Sequence, residues 1–193
     1  MRGIIFRTYL DFIKDKFGYA TLDQLLQEGS YPNKGGFSTA GNYSSDYLLS
    51  LIESSTKLCK KPKEKVVESF GRYAFTYLLE RFKHSYKGSN TPLHVKNPYD
   101  FLEKLNVIHF DELKKLYPDA KFPKFSIERI SDEHITIEYA SPRNLPLFVY
   151  GLISGCLEYF HEDAKLTMSK TDRSRTINGV KCPVFKFEVE QDG

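Results

Sequence analysis

The hydrophobic pattern changes its period once along the chain, near Lys124, and this change limits the fold more than any other feature. Before it, apolar residues recur every three or four positions, the spacing of amphipathic helices. After it, residues 124–130 and 133–140 alternate between apolar and polar side chains, as strands do. Helices followed by hairpin-linked strands predict an α+β fold.

Turn and loop residues divide this pattern into elements. Helices are predicted over residues 3–17, 46–58, 63–83, 99–117 and 144–161, and four strands are predicted in two hairpins that turn at Ser131-Asp132 and Asn178-Gly179. Thr21 followed by Gln24 has the spacing of a capping box, which predicts a further short helix beginning there. A chain of 193 residues has the length of one domain, so residues 1–193 are expected to fold together.

The charge balance restricts the class of partner. The chain carries 28 Lys and Arg against 25 Asp and Glu, a formal net charge of +3. This near balance argues against a nucleic-acid-binding protein held mainly by phosphate contacts. No apolar run approaches about 18 residues, so no membrane span is expected.

The cysteines and the first residues indicate the expected compartment. Cys59, Cys156 and Cys182 are odd in number and far apart in sequence. This pattern argues for reduced thiols and against a disulfide framework or a cysteine-rich zinc site. The opening residues read as an amphipathic helix and not as a cleaved signal. We therefore expect a cytoplasmic protein.

Three polar side chains end the second predicted strand. Tyr139, Ser141 and Arg143 stand at every second position, and alternate side chains of a strand point to one face. If the extended conformation continues through Pro142, the row spans about 13 Å, at about 3.3 Å per residue. Two hydroxyls and a guanidinium in a row suit an anion broader than a single carboxylate. A strand end with ordinary surface polarity would carry the same residues.

His109 lies on an apolar stripe of the helix predicted over 99–117. It follows Leu105 by four residues and precedes Leu113 by four, so its imidazole is expected to point where the leucines point. Such a histidine can be a core residue whose ring bonds a backbone carbonyl. It can also be the axial ligand of a haem iron, because a porphyrin needs an apolar cavity. A haem also carries two propionates, which the row ending at Arg143 is suited to hold.

These residues stand in a sequence that resembles the H-NOX family (haem–nitric oxide/oxygen binding), which includes bacterial gas sensors and the haem domain of soluble guanylate cyclase. The most specific motif is Tyr-x-Ser-x-Arg at residues 139–143. The other matching segments are MRGIIF at the start, Phe70-Gly71-Arg72, FLEKLNVIH ending at His109, YPDAKFPKF containing Pro123, and FVYGLISGCLEYF after the motif. The resemblance covers nearly the whole chain. It implies a helical distal lobe over 1–60, a mixed proximal lobe over 61–193 with an antiparallel sheet of about four strands, and a haem between the lobes.

The resemblance also assigns roles to individual residues. It implies haem b (iron protoporphyrin IX) as the cofactor, with His109 as the proximal iron ligand. Pro123 is expected to press on the porphyrin and help to distort it. The residues expected to hold the propionates are Tyr139, Ser141 and Arg143, and the other predicted cofactor contacts are Ile5, Tyr9, Ala74, Leu78, Leu105, Phe148 and Leu152.

The distal side is expected to determine which gas binds. Oxygen-binding members of the family carry a tyrosine soon after the motif, and its hydroxyl stabilises bound dioxygen. The corresponding residue here is Phe148, which has no donor, and a missing hydrogen bond to a partly charged ligand costs about 1–3 kcal/mol. The resemblance therefore implies a nitric oxide sensor that discriminates against oxygen and binds carbon monoxide more weakly. The alternative is an oxygen binder in which Tyr9, on the first helix, is the distal donor.

The implied function is signalling and not catalysis. In the family, nitric oxide binding breaks the bond between the iron and the proximal histidine, here His109, and the distal lobe then shifts. A partner protein is expected to read this shift, and the family suggests a histidine kinase or a diguanylate cyclase/phosphodiesterase in trans. The sequence contains no P-loop, GxGxxG or HExxH motif. The rival from another class is a haem-free module in which Arg143 binds a different anion.

Overall fold

The first half of the chain folds into helices. A computed structural model describes residues 1–83, 95–109 and 122–191. The helices of its first segment are α1 (Gly3–Phe17), α2 (Tyr19–Glu28), α3 (Ser45–Cys59) and α4 (Lys63–Lys83), with a 3-10 turn at Pro32–Gly35. The predicted helices over 3–17, 46–58 and 63–83 are therefore confirmed to within one residue at each end.

The start of α2 differs from the predicted capping box. The helix begins at Tyr19, directly after Gly18, whose φ of 89° lets the chain change direction between α1 and α2. The Thr21 hydroxyl donates to the Phe17 carbonyl oxygen at 2.8 Å. Thr21 thus lies inside the first turn and does not cap the N–H of Gln24, so this prediction is wrong.

The apolar stripe of α1 packs against α3 and α4. Tyr9 and Phe12 both contact Phe70 of α4, with ring centroids 4.8 and 5.7 Å apart. Full burial of one such apolar side chain stabilises the fold by roughly 1.5–3 kcal/mol. Buried residues of this first core include Phe6, Tyr9, Phe12, Ile13, Leu48, Leu51, Ile52, Phe70 and Ala74.

The helix expected to carry His109 is shorter than predicted. α5 spans Pro98–Glu103 and ends in a tight turn at Lys104, whose N–H bonds the carbonyl three residues earlier at 3.1 Å. Helical backbone resumes at residue 105 and widens to a π turn over 107–109. The predicted continuous helix over 99–117 is wrong at Lys104, and its part beyond residue 109 lies outside the described residues.

Residues on the two sides of this break have different aromatic neighbours. Phe101, before the break, packs its ring against Phe75 of α4 with centroids 5.2 Å apart. His109, after the break, packs against Phe125 with centroids 5.3 Å apart. The turn at Lys104 thus lies between a residue that packs on α4 and a residue that packs near the start of the sheet.

The predicted antiparallel sheet is confirmed. In the described part of the chain it contains four strands, β1 (Lys124–Ser131), β2 (His134–Ala140), β3 (Ala164–Ile177) and β4 (Val180–Gln191), in the order β1-β2-β4-β3. β3 and β4 are joined by Asn178 and Gly179, with φ of 51° and 78°, as a two-residue hairpin turn with two left-handed positions requires. The α+β prediction is thus correct, and the helix predicted over 144–161 is observed as α6 (Pro146–Phe160).

Helices α4 and α6 approach each other closely through glycine. A Cβ atom on Gly71 would lie 2.4 Å from the Phe148 carbonyl oxygen, and one on Gly151 would lie 2.2 Å from the Glu68 carbonyl oxygen. Both distances are far inside van der Waals contact, so these positions require glycine. The close contact puts Phe148, near the start of α6, directly beside α4.

The described residues form a second core where α6 covers the sheet. It includes Ile135 and Ile137 of β2 and Phe187 and Val189 of β4, all fully buried. α4 contributes to both cores, with Phe70 in the first and Phe75 in the second. The lobe boundary at residue 60 stays a prediction. None of the helices in the described ranges is both long and apolar enough to cross a membrane.

Candidate functional site

The His109 imidazole is held by a backbone carbonyl. Its Nδ1 atom lies 2.8 Å from the carbonyl oxygen of Leu105, one turn earlier. Because a carbonyl can only accept, Nδ1 carries the proton and Nε2 keeps its lone pair. Burial lowers the pKa of His109, although the bond to Leu105 opposes this shift. The ring is therefore neutral near pH 7 and has one nitrogen available to bind a metal.

Two aromatic rings near the start of β1 lie next to this imidazole. The Phe122 ring lies edge-on to the His109 ring, with centroids 5.8 Å apart, and Phe125 lies 5.3 Å away. Pro123 stands between these two residues in the sequence, so the structure brings it to the neighbourhood of His109. Leu113, the other leucine next to His109 on the predicted stripe, lies outside the described residues.

The Tyr139, Ser141 and Arg143 side chains gather around a turn and do not form an extended row. β2 ends at Ala140, and the Asn144 N–H donates to the Ser141 carbonyl oxygen at 3.1 Å. The condition for a row of about 13 Å, an extended chain through Pro142, is therefore not met. Proline is favoured at the second position of such a turn, because its φ is fixed near −65°.

Hydrogen bonds fix this turn to the end of β2. The Ser141 Oγ accepts from the Arg143 backbone N–H at 3.2 Å, and the Tyr139 hydroxyl accepts from the Leu145 N–H at 3.4 Å. Burial raises the pKa of the Tyr139 phenol. Both side chains are almost fully buried. Their hydroxyls therefore have defined positions beside Arg143.

Arg143 lines a cavity of about 270 Å³. The other lining residues are Met1, Tyr43, Ser44, Ser45, Phe122 and Pro142. Burial lowers the pKa of the Arg143 guanidinium, which means that its charge is partly removed from water. An anion placed in the cavity would offset that cost. Phe122 connects this cavity to the His109 ring.

A second group of predicted residues meets in the first core. The Tyr9 ring packs edge-on against Phe70, with centroids 4.8 Å apart, and Phe70 stacks on Phe148 at 4.8 Å. These three rings form what we call the aromatic stack. Other predicted contacts in the same core are Ile5, Ala74, Leu78 and Leu152, whereas Leu105 belongs to the second core.

The Tyr9 hydroxyl is hydrogen-bonded to Ser55 of α3. Ser55 is fully buried, and its Oγ donates to the Ile52 carbonyl oxygen at 2.9 Å. A serine hydroxyl has one proton, so the Tyr9 phenol must donate its own proton to Ser55 Oγ. Burial raises the pKa of Tyr9 well above its ordinary value, which keeps the phenol protonated. Sequence reasoning missed Ser55, although a serine on the apolar stripe of Leu48, Leu51 and Ile52 is a signal that such a residue has a buried partner.

The chemical groups at His109 and at the turn that carries Arg143 fit a haem. A neutral imidazole with a free Nε2 fits an axial position, and a partly desolvated guanidinium with two neighbouring hydroxyls fits carboxylates. Apolar and aromatic side chains between them fit a porphyrin face.

Comparisons with known proteins agree with this chemistry. The sequence model of a family described as Haem-NO-binding matches residues 2–168. No curated protein matches the chain with significance. An H-NOX protein from K. algicida with unliganded Fe(II) superposes with a TM-score of 0.81 at 24% identity, covering 100% of this chain and 97% of that one. An H-NOX protein from S. oneidensis in the Fe(II)NO state gives a TM-score of 0.76 at 22% identity, covering 99% of this chain and 100% of that one. A variant of T. tengcongensis H-NOX gives a TM-score of 0.79 at 17% identity, covering 100% of this chain and 98% of that one.

Proposed function

Because the chain belongs to the Haem-NO-binding family, whose H-NOX domains bind haem and sense gases, we propose that it is a nitric oxide sensor that discriminates against oxygen. One observation carries the choice of gas. Phe148 offers no donor, and the Tyr9 phenol donates its only proton to Ser55. Bound oxygen, which accumulates negative charge, would then lack a hydrogen-bond donor from either residue, whereas nitric oxide needs none.

On the proximal side we assign the metal bond to His109. A ferrous haem held there would supply an iron able to bind nitric oxide, and the proposed signal is loss of the bond between that iron and His109. The Leu105 carbonyl holds Nδ1 and orients the ring, so Nε2 is the atom that would bind the metal. The π turn over 107–109 gives the imidazole a backbone that differs from regular helix, and we assign the motion that follows release to this segment.

We assign the propionates to the turn after β2. Arg143 supplies the fixed charge, and Tyr139 and Ser141 supply hydroxyls whose positions the turn fixes. Pro123 is the proposed contact that presses on the porphyrin. The proposed distal wall consists of the aromatic stack with Ile5, Ala74, Leu78 and Leu152, and Leu105 is the proposed proximal contact beside His109.

The proposed output is a shift of residues 1–60 relative to 61–193. α4 contributes to both cores and α6 packs closely on it, so these helices are suited to transmit a movement. The proposed reader is a partner such as a histidine kinase or a diguanylate cyclase/phosphodiesterase, and the chain itself is proposed to have no enzymatic activity. The thiols of Cys59, Cys156 and Cys182 are free, which supports the proposal of a reducing, cytoplasmic location.

Spectroscopy of the protein expressed with a haem precursor tests this proposal. We expect a strong Soret band, conversion to a five-coordinate nitrosyl spectrum with one equivalent of nitric oxide, and no stable oxygen-bound spectrum in air. A fully folded protein without a Soret band would favour the haem-free module that binds another anion through Arg143. A stable oxygen-bound spectrum would instead reject selectivity for nitric oxide.

A further inference from the structure

We infer that Ser55 determines gas specificity by withholding the Tyr9 hydroxyl from the bound gas, an inference that rests on the proposed function. The observation is the direction of two consecutive hydrogen bonds, which we call the relay: the Tyr9 hydroxyl donates to Ser55, and Ser55 donates to the Ile52 carbonyl oxygen. The last acceptor cannot donate, so each proton in the relay is committed in one direction. Tyr9 keeps lone pairs but has no donor left to offer.

Tyr9 belongs to the wall where such a donor would matter. Its ring is fully buried and joins the aromatic stack through Phe70, which in turn stacks on Phe148. Packing on Phe12 and Phe70 holds the ring in place, but the O–H bond can still rotate about the Cζ–Oη bond. Removal of the Ser55 acceptor would therefore free the proton to turn towards another acceptor without moving the ring.

Another phenol in the same core provides a matched control. Tyr31 is buried, and its hydroxyl has no hydrogen-bond partner in the part of the chain that the structure describes. If oxygen binding could be created by any buried phenol of this core, Tyr31 would compete with Tyr9 for that role. Separate removal of the two hydroxyls distinguishes them.

The test measures oxygen affinity of the ferrous, haem-loaded protein for Ser55→Ala, with Ser55→Thr as the variant that keeps the hydroxyl. We expect Ser55→Ala to gain about tenfold to hundredfold in oxygen affinity, the range of a hydrogen bond to a charged acceptor. Ser55→Thr should behave as wild type. The gain should disappear in Ser55→Ala/Tyr9→Phe and persist in Ser55→Ala/Tyr31→Phe. Because alanine leaves a small void, Ser55→Cys, which keeps the volume with a weaker acceptor, is measured in parallel and should gain in the same direction.

Proton NMR of the diamagnetic carbon monoxide complex gives a second readout. The Tyr9 hydroxyl proton, identified by its loss in Tyr9→Phe, should exchange slowly with water in wild type and faster in Ser55→Ala. Unchanged oxygen affinity in both Ser55→Ala and Ser55→Cys, or a gain that survives Tyr9→Phe, would overturn the inference. Those results leave the proposed function standing, whereas a wild type that itself binds oxygen stably overturns the proposed function.

Discussion

The Nδ1 atom of His109 lies 2.8 Å from the carbonyl oxygen of Leu105 and thereby leaves Nε2 as the free nitrogen of a neutral ring. A core histidine would make the same hydrogen bond, so the assignment of His109 to the iron rests on the lone pair that this bond leaves on Nε2 together with the family of the chain. The neighbouring rings of Phe122 and Phe125 give the free nitrogen an apolar environment.

Replacement of His109 by glycine is expected to remove the axial ligand while the rest of the pocket retains some haem. Added imidazole should then occupy the space left by the ring and restore a five-coordinate ferrous spectrum. The measurement is the ferrous absorbance spectrum before and after imidazole. His161→Gly is the control, because His161 caps α6 with a φ of 56°, a conformation glycine tolerates. A histidine-ligated spectrum in untreated His109→Gly would show that the assignment is wrong.

Arg143→Ala should lower haem retention more than Ser141→Ala. The first change leaves a propionate without its fixed charge, a loss of about tenfold or more for a charge-assisted hydrogen bond. The second removes the acceptor of the Arg143 N–H but keeps the guanidinium. Retention is measured as the rate of haem transfer to apo-myoglobin.

Arg173→Ala is the matched control for Arg143→Ala, because Arg173 is an exposed arginine that pairs with Glu138 on the sheet. It should keep haem as wild type does. Equal transfer rates in Arg143→Ala and wild type would contradict the assignment of the propionates to this turn.

The sequence was most informative where local pattern and tertiary contact agree. The alternation through β1 and β2 and the Asn178-Gly179 turn predicted the sheet correctly, since both signals act within a few residues. The alternate spacing of Tyr139, Ser141 and Arg143 did not predict the turn after Ala140. Pro142 was compatible with either structure, because proline occurs in turns as well as in extended chains. The break at Lys104 separates Phe101, which packs on Phe75, from His109, which packs on Phe125, and local spacing does not show such contacts.

The relay from Tyr9 to Ser55 shows a different limit. The two residues are 46 positions apart, and no local pattern pairs a tyrosine on one helix with a serine on another. Sequence identified Tyr9 as a possible distal donor, and only the packing of α1 against α3 shows where its proton goes. Helical spacing placed His109 among apolar residues but left a core histidine and an axial ligand as alternatives, and its role as the proximal ligand came from the resemblance to the H-NOX family.

Tyr73→Phe is expected to raise the pKa of Asp15 towards its ordinary value. Tyr73 of α4 donates to the Asp15 carboxylate of α1 at 2.7 Å, and this hydrogen bond holds the pKa of Asp15 below its usual range. A lowered carboxyl pKa contributes stability above about pH 4 that is lost as the pH falls through the folded-state pKa. Tyr73→Phe should therefore lose less stability than wild type does as the pH falls through that acid range.

Carbon-13 NMR titration of the aspartate carboxyl groups measures this shift. Tyr77→Phe is the control, because Tyr77 donates to Asp11 and not to Asp15. An unchanged Asp15 titration in Tyr73→Phe would mean that this hydrogen bond does not link α4 to α1 in solution.

Gly151→Ala should destabilise the protein more than Gly155→Ala. The added methyl at 151 would meet the Glu68 carbonyl oxygen at 2.2 Å, whereas at 155 the nearest atom, the Arg72 carbonyl oxygen, would be 2.8 Å away. Overpacking of this kind costs about 1–3 kcal/mol, and the larger share should fall on Gly151. Urea unfolding of both variants measures the difference, and the reverse order would contradict the close packing of α4 on α6.

Phe148→Tyr is expected to give the protein some affinity for oxygen that wild type lacks. The Phe148 ring stacks on Phe70 at 4.8 Å, which fixes its plane, and it is only partly buried, so a hydroxyl can be added without a large clash. A new donor beside bound oxygen should raise the affinity by about tenfold or more, the value of a hydrogen bond to a charged acceptor. Oxygen titration of the ferrous protein measures it, with Phe148→Leu as the control that removes the ring and adds no donor. A folded, haem-loaded Phe148→Tyr without any gain would show that position 148 does not reach the gas. If wild type itself binds oxygen, the donor would be Tyr9 and not a residue at position 148, and Tyr9→Phe should then abolish oxygen binding.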